Sequence, residues 1–579
     1  MNWLLLIAIS LLWAGCSNED VAETAKETTK EMSFEQRIAG NNPYNVNNME
    51  LAYQYLVQQG RLNPAMFPDF HIRPTHKYVK LKPATLEEED QMLADTTFIA
   101  LDYPLDVDLP ESYFEERGEL QEGQIPEYYS SLKTDQKIAY TGNTELIEMM
   151  YVPEEDPYFE NADEDYQQGT DRITTRAQLH DELLFTAYFF KGLDYLLAPD
   201  LNAAKGVGID DDKPQKPMLT NVENTLILDG KNENRFNDLI VKPLGIGKKW
   251  YPSGNLRYVD TSLPAGQQNR PLPGAQVLLR QGITMRSAIT DANGYFQTSK
   301  LRGHARFILQ WERAKYNIKR KGLWQAELRG PHQRSPWNHT ILATNTEDIY
   351  HTLIHIACLD YYYGSRFGLT APKNNIRIAA KQTSEGKSSH VAARGIIYTI
   401  SLKKWGSNHS DIYGTTIHEL AHSAHRQVSS GGYDAAVMDA YINFLNPNPN
   451  AKRFLETWAT TVELLFVQQR YGLFVDNKNT SQILQPDYKQ LMQNIQMGFA
   501  DGQQKYYTSC GFDMIDDYNQ NARLTPNTNL PIDRVSGYTP KQLEASIKNI
   551  ASWNDWKNSI KTKYNNPTEN FLDELFANW

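Results

Sequence analysis

The chain has 579 residues, too many for one hydrophobic core at roughly 100–200 residues per domain, so several domains are expected. It is 40% hydrophobic and 22% charged, a globular composition; 58 basic against 70 acidic residues leave a net charge of −12, which excludes a dedicated nucleic-acid binder with a basic face. A mean hydropathy of −0.58, with its one long apolar run at the N-terminus, excludes a polytopic membrane protein, and Cys16, Cys358 and Cys510 are too few for a disulfide framework or a Cys-rich zinc site.

Residues 1–16 read MNWLLLIAISLLWAGC. The apolar stretch over 3–13 is too short to span a bilayer comfortably, and the small residues Ala14 and Gly15 follow it. Small residues before a cysteine resemble the lipobox of bacterial lipoproteins, whose cysteine is diacylated and becomes the mature N-terminus. The resemblance implies lipidation at Cys16; an ordinary secretory signal is the alternative. Ser17-Asn18-Glu19-Asp20, opening a polar tether over 17–37, resembles the surface-export signal of some Gram-negative lipoproteins. The expected location is outside the cytoplasm, lipid-anchored to the outer membrane and exposed at the cell surface, where Cys358 and Cys510 are free to pair.

Residues 38–235 form an N-terminal region of uncertain fold. Helical patches lie at 49–59 and 176–197, the second carrying Leu179, Leu183, Ala187, Phe190, Leu193 and Leu197 near helical spacing. The acidic stretches 87–90 and 154–165 read as solvated loops, and neither they nor Asp210-Asp211-Asp212 have the spacing of a calcium loop. Over 236–320 the character changes. Short β-rich runs at 275–280, 286–290, 295–298 and 305–311, separated by turn signals at 271–274 and 291–294, predict a small β-sandwich. The segments LPGAQV and TDANGYF resemble the regulatory-like module of carboxypeptidases, which implies a transthyretin-like accessory fold.

From about 340 helix and strand alternate. Helices are predicted at 346–363, from a cap at Ser410 or Asp411 to about 427, and at 454–471, 488–499, 540–550 and 568–579; strands are predicted at 375–380 and 393–402. The fold class expected is α+β and multidomain, with a mixed α/β catalytic domain over 340–579 whose C-terminal part is helical.

The chemistry sits in His418-Glu419-Leu420-Ala421-His422, an H-E-x-x-H motif. Residues four apart on a helix share a face about 6 Å apart, so His418 and His422 can converge on one ion. Glu419 lies about 100° further round, where its carboxylate reaches a water rather than the metal. A strand followed by such a helix resembles the zincin arrangement, which implies one catalytic Zn2+ and Glu419 as general base. The metzincin continuation needs a glycine at 425 and a histidine at 428; the chain has His425 and Val428, and His425 reads as a packed histidine beside the site. In the helix over 453–472, Glu456 lies off the apolar stripe and Ala459 allows close helix approach.

The segment Glu456-Thr457-Trp458-Ala459 resembles the E-x-x-A segment of gluzincin peptidases. The resemblance gives Glu456 the third-ligand role, with Glu463 as the alternative. The gap from His422 to Glu456 is longer than is usual there, and Thr460 stands where many members have an acidic residue orienting a histidine, so a hydroxyl or another group must do that. An oxyanion donor is sought in Tyr506 or Tyr507; Asp516 and Asp517 read as structural. The expected function is a zinc metalloendopeptidase acting on extracellular polypeptides or glycoproteins. The alternatives are a non-catalytic surface adhesin or glycan-binding lipoprotein, and a zinc amide hydrolase of cell-wall fragments.

Overall fold

The computed structural model describes residues 42–105, 109, 111–118, 120, 124–164, 172–197, 219–222, 225–228, 246, 248–321, 324–385, 388–390, 400–443, 447–471, 497–498, 505–517, 519 and 532–579. The export signal, Cys16, the tether and Asp210-Asp211-Asp212 lie outside them. Among the described residues no helix is long and apolar enough to cross a membrane. Helices and several separate sheets are both present, the α+β arrangement that was expected.

In the N-terminal region, helix α1 (Val46–Gln58) buries Met49, Ala52, Tyr55 and Leu56, one stripe at helical spacing, facing α2 (Arg176–Phe190). A capping box of Thr175 and Gln178 starts α2, and every residue from Ala177 to Phe190 is buried. This helix is enclosed on all sides, which explains its weak amphipathic pattern; its buried Glu182 pairs with Arg61 at 2.7 Å. It stops short of 197, at a turn where Gly192 takes φ +69°. Strand β1 (His76–Lys82) lies antiparallel between β2 (Tyr128–Lys133) and β3 (Asn143–Met150).

Neither acidic stretch is a simple solvated loop. Residues 87–90 sit in the first turn of the helix Leu86–Ala94, capped by Thr85, where carboxylates favour the exposed N–H groups. Glu89 is buried and reaches Arg377 at 3.1 Å, and Asp90 pairs with the same guanidinium. In the second stretch Asp156 is buried and pairs with Arg73 at 3.1 Å.

The middle of the chain supplies β4 (Ser253–Val259), β5 (Gln276–Gln281), β6 (Thr284–Ile289), β7 (Tyr295–Gln297), β8 (Ala305–Gln310), β9 (Tyr316–Arg320), β10 (Glu327–Gln333) and β11 (Trp337–Ile341). One sheet runs β7-β4-β11 and the other β10-β8-β5-β6. Their apolar faces meet: Phe307 of β8 lies 6.1 Å from Phe296 of β7 and 5.6 Å from Trp337 of β11, ring centre to ring centre. Strands of this sandwich continue to Ile341, beyond residue 320. Strand β9 leaves it to pair in parallel with β12 (Ile376–Ala380), Ile318 opposite Ile378.

Beyond β11 come α3 (Thr346–Tyr363), β12, β13 (Ser389–His390), β14 (Ile400–Leu402), α4 (His409–Val428), α5 (Ser430–Val437), α6 (Pro449–Tyr471), β15 (Lys505–Tyr507) and α7 (Trp553–Lys563). The mixed sheet is ordered β9-β12-β14-β13, and Ile376, Ile378, Ile400 and Leu402 are buried in one core with α3, α4 and α6. The helix predicted over 488–499 falls outside the described residues except for Met497–Gly498, an extended pair bonded to β15. Helix α7 was not foreseen; its Trp553 and Trp556 pack against Phe454 and Trp458 of α6 and against Phe576. Cys358 and Cys510 are separate, buried, free thiols.

The turn after β4 fixes the two helices that matter most. The backbone N–H of Thr261 donates to His409 Nδ1 at 3.0 Å, and Ser410 N–H donates to Ser262 Oγ at 3.0 Å, so the first turn of α4 is tied to the sandwich. Asp260, fully buried, accepts from Arg470 at 3.0 Å and Tyr471 at 3.1 Å at the end of α6. Burial alone would raise the Asp260 carboxyl; its bonds to His409 and Arg470 outweigh that and hold it below the usual range.

Candidate metal centre

Helices α4 and α6 cross with Leu420, Ala421 and Ala459 fully buried, and these small or compact side chains bring the polar faces together. His418, Glu419, His422, Glu456 and Glu463 are all buried. The two imidazoles stand 4.9 Å apart, nearly perpendicular. Glu456 Oε2 lies 3.0 Å from His418 Nε2 and 3.5 Å from His422 Nε2. One ligand atom from each of these three residues falls within 4.8 Å of the others. An ion held tetrahedrally by bonds of about 2.0–2.1 Å separates its ligands by about 3.4 Å. The two separations from Glu456 Oε2, 3.0 and 3.5 Å, bracket that value, and two imidazoles with a carboxylate are a zinc-type donor set.

Glu456 and Glu463 differ in position. Glu463, seven residues after Glu456, does not face the cluster of ligand atoms; its Oε2 lies 3.1 Å from His418 Nδ1, on the far side of that ring. It fills the orienting role for which Thr460 was an unsuited candidate. Thr460 is buried, and its hydroxyl has no partner among the described residues. Burial opposes charge on His418, but carboxylates on both ring nitrogens outweigh burial and raise its pKa well above the usual value. Burial dominates at His422 and lowers it. Glu456 would be raised by burial, yet its contacts with the two imidazoles hold it far below the usual carboxylate range.

His425 does not join the cluster. It is fully buried between Tyr433 at 5.0 Å and Phe454 at 5.3 Å, and burial pushes its pKa down to about 3. It is a neutral packing residue, as its place on the helix suggested.

Tyr506 and Tyr507 separate because successive side chains of β15 point to opposite faces. Tyr507 turns to the site: its ring is 5.7 Å from that of His418, and its hydroxyl is bonded to Glu456. Tyr506 turns away, with Lys452 Nζ 4.5 Å above its ring, so it is removed from the oxyanion candidates. Burial and then the Glu456 charge raise the Tyr507 hydroxyl, which stays protonated and able to donate. Asp516 lies with Asp513 and Asp533 in a separate acidic group.

One residue at the site escaped sequence reasoning. Tyr441 lies in a π-helical turn, Met438–Ile442, between α5 and α6, and its hydroxyl donates to Glu456 Oε1. Such turns are rare and concentrate near functional sites, but nothing in the local sequence marks one. Neither a known protein family nor a curated protein matches the sequence.

Proposed function

We propose that the chain is a zinc-dependent peptidase that cleaves extracellular polypeptides or glycoproteins. One observation supports the reading: Glu456 Oε2 lies 3.0 Å from His418 Nε2 and 3.5 Å from His422 Nε2, a zinc-type donor set, with Glu463 behind His418. When bound, Zn2+ supplies the Lewis acidity that polarises a scissile carbonyl and acidifies a water. Glu419, one residue round the helix from His418, takes the proton of the attacking water and returns it to the leaving amine. Tyr507 donates a hydrogen bond to the developing oxyanion. Lipid anchoring through Cys16 would place this activity at the outer-membrane surface.

The test is a pair of variants assayed on a casein or mucin-type glycoprotein substrate. Glu419→Gln is expected to retain one zinc per chain by elemental mass spectrometry while losing turnover by at least about a hundredfold. Glu456→Ala is expected to lose the metal. Full activity in either variant rejects the assignment.

A further inference from the structure

A cavity of about 810 Å³ opens between the N-terminal region and the sandwich, far larger than one water requires and of a size typical for ligand sites. Five consecutive residues, 283–287, line it. Side chains alternate faces along a strand, so a run of consecutive lining residues means that the cavity lies along the edge of β6 and not over one face. That edge is free: β6 ends its sheet, and no described strand pairs with its outer side.

The direction of its backbone groups can be worked out. Thr290 bonds inward, its N–H to Ala275 O and its C=O to Gly274 N. In an antiparallel pair the inward and outward residues alternate, so Met285, Ser287 and Ile289 turn N–H and C=O outward. The Arg286 guanidinium confirms the phase by donating to Met285 O at 3.0 Å. Edge strands are normally blunted by charges, proline or a cover. Here the only charged residue on the strand is Arg286, which is folded back onto Met285 O and Glu155, and Ile289 remains 44% exposed.

Charge selects among strands that could add. Lys133, Arg286 and Lys300 line the cavity against one carboxylate, Glu155, leaving two positive charges locally on a chain of net charge −12. Glu155 is engaged by Arg286 and by Lys133 at 3.3 Å, while Lys300 has no carboxylate partner among the described residues. We propose that this cleft takes an extended acidic segment of polypeptide as an additional strand on β6. Backbone bonds to Met285 N–H and to the outward groups of residues 287 and 289 would hold it, and Lys133 and Lys300 would read its carboxylates. A role for the cleft as a substrate exosite rests on the peptidase reading; the binding itself does not.

The experiment uses the full chain carrying Glu419→Gln, so that no peptide is cut, and fluorescence anisotropy of a labelled decapeptide alternating Glu and Val. Saturable binding is expected, weakened at least about tenfold when one of the two alternate sets of peptide amides is N-methylated. Lys133→Glu with Lys300→Glu is expected to cost a similar factor and to transfer preference to the Lys/Val counterpart. Absence of binding by the acidic decapeptide overturns the proposal. So does equal binding of both N-methylated forms, or binding of oligogalacturonate with none of the peptide. If the double variant fails to fold, the methylation series alone decides. Loss of peptidase activity in the unmodified chain speaks only to the function proposed above.

Discussion

His418 has a carboxylate on each ring nitrogen, and the two carboxylates do different work. Glu456 points into the space between the imidazoles; Glu463 fixes the ring from the other side. Removing the first should abolish metal binding. Replacing the second by glutamine keeps an acceptor for the Nδ1–H but removes its charge, so Glu463→Gln should retain zinc stoichiometry while weakening affinity by about 10–100-fold, read by competition with a chelator. Loss of zinc in Glu463→Gln with retention in Glu456→Ala would reverse the two roles. Tyr441→Phe should weaken zinc affinity by a comparable factor at most, since it frees Glu456 Oε1 from a bond worth about 1.5–3 kcal/mol. The H-E-x-x-H pair was legible because helical spacing alone dictates which side chains share a face. The distinction between Glu456 and Glu463 was not, because seven residues is nearly two full turns. Both lie on one face of α6, and only the crossing point with α4 decides which reaches the imidazole edge and which its back. Tyr441 carried no periodic signal at all.

At the scale of elements, the approach of His418 and His422 to Glu456 depends on where α4 begins and α6 ends. Asp260 belongs to the sandwich side, yet it receives Arg470 and Tyr471 from α6 and lies 3.5 Å from His409 of α4. Arg470 is also mostly buried, and without Asp260 it keeps only the more distant carboxylate of Asp360, at 3.6 Å, among the described residues. Asp260→Ala is therefore expected to cost about 3–5 kcal/mol in urea unfolding and to lower zinc affinity in the chain that remains folded. A variant with unchanged urea midpoint and unchanged metal affinity would show that the helices are held elsewhere. The helices themselves were readable from apolar stripes, though α4 begins at His409, ahead of the cap expected at Ser410 or Asp411. The clamp was not, because its members are separated by 149 residues between Asp260 and His409 and no local pattern connects them. The same limit applies to the acidic stretch at 87–90. A run of carboxylates reads as solvated until Arg377, nearly 290 residues away, is seen to neutralise two of them.

Across the whole molecule, the β-sandwich and the mixed sheet are separate in strand pairing but not in packing. Strand β9, which lies between β8 and β10 of the sandwich in the chain, pairs only in the mixed sheet, and one continuous core contains Phe307, Ile378, Leu420 and Trp556 together. Residues near the C-terminus complete that core. Trp579 Nε1 donates to Asp513, which lies beside Asp533 beneath the chain end, and all three are buried. Burial, then the charge of Asp513, pushes the Asp533 carboxyl far above its usual range. The folded chain thus keeps a proton that the unfolded chain releases near pH 4. The stability tied to this group is fully present below that pH and is lost as pH rises toward the raised folded value. Asp533→Asn should remove the loss. Its amide oxygen can still accept from Val535 N–H, now 3.0 Å from Asp533 Oδ1, and its amide carries no charge beside Asp513. The expected gain is about 1–3 kcal/mol at pH 8 and close to nothing at pH 4, read from urea midpoints at the two pH values with an unchanged slope. An equal shift at both pH values would mean that packing, and not the retained proton, governs this end of the chain. A loss at pH 8 would mean that Asp533 is ionised in the fold and held there by a cation shared with Asp513 and Asp516.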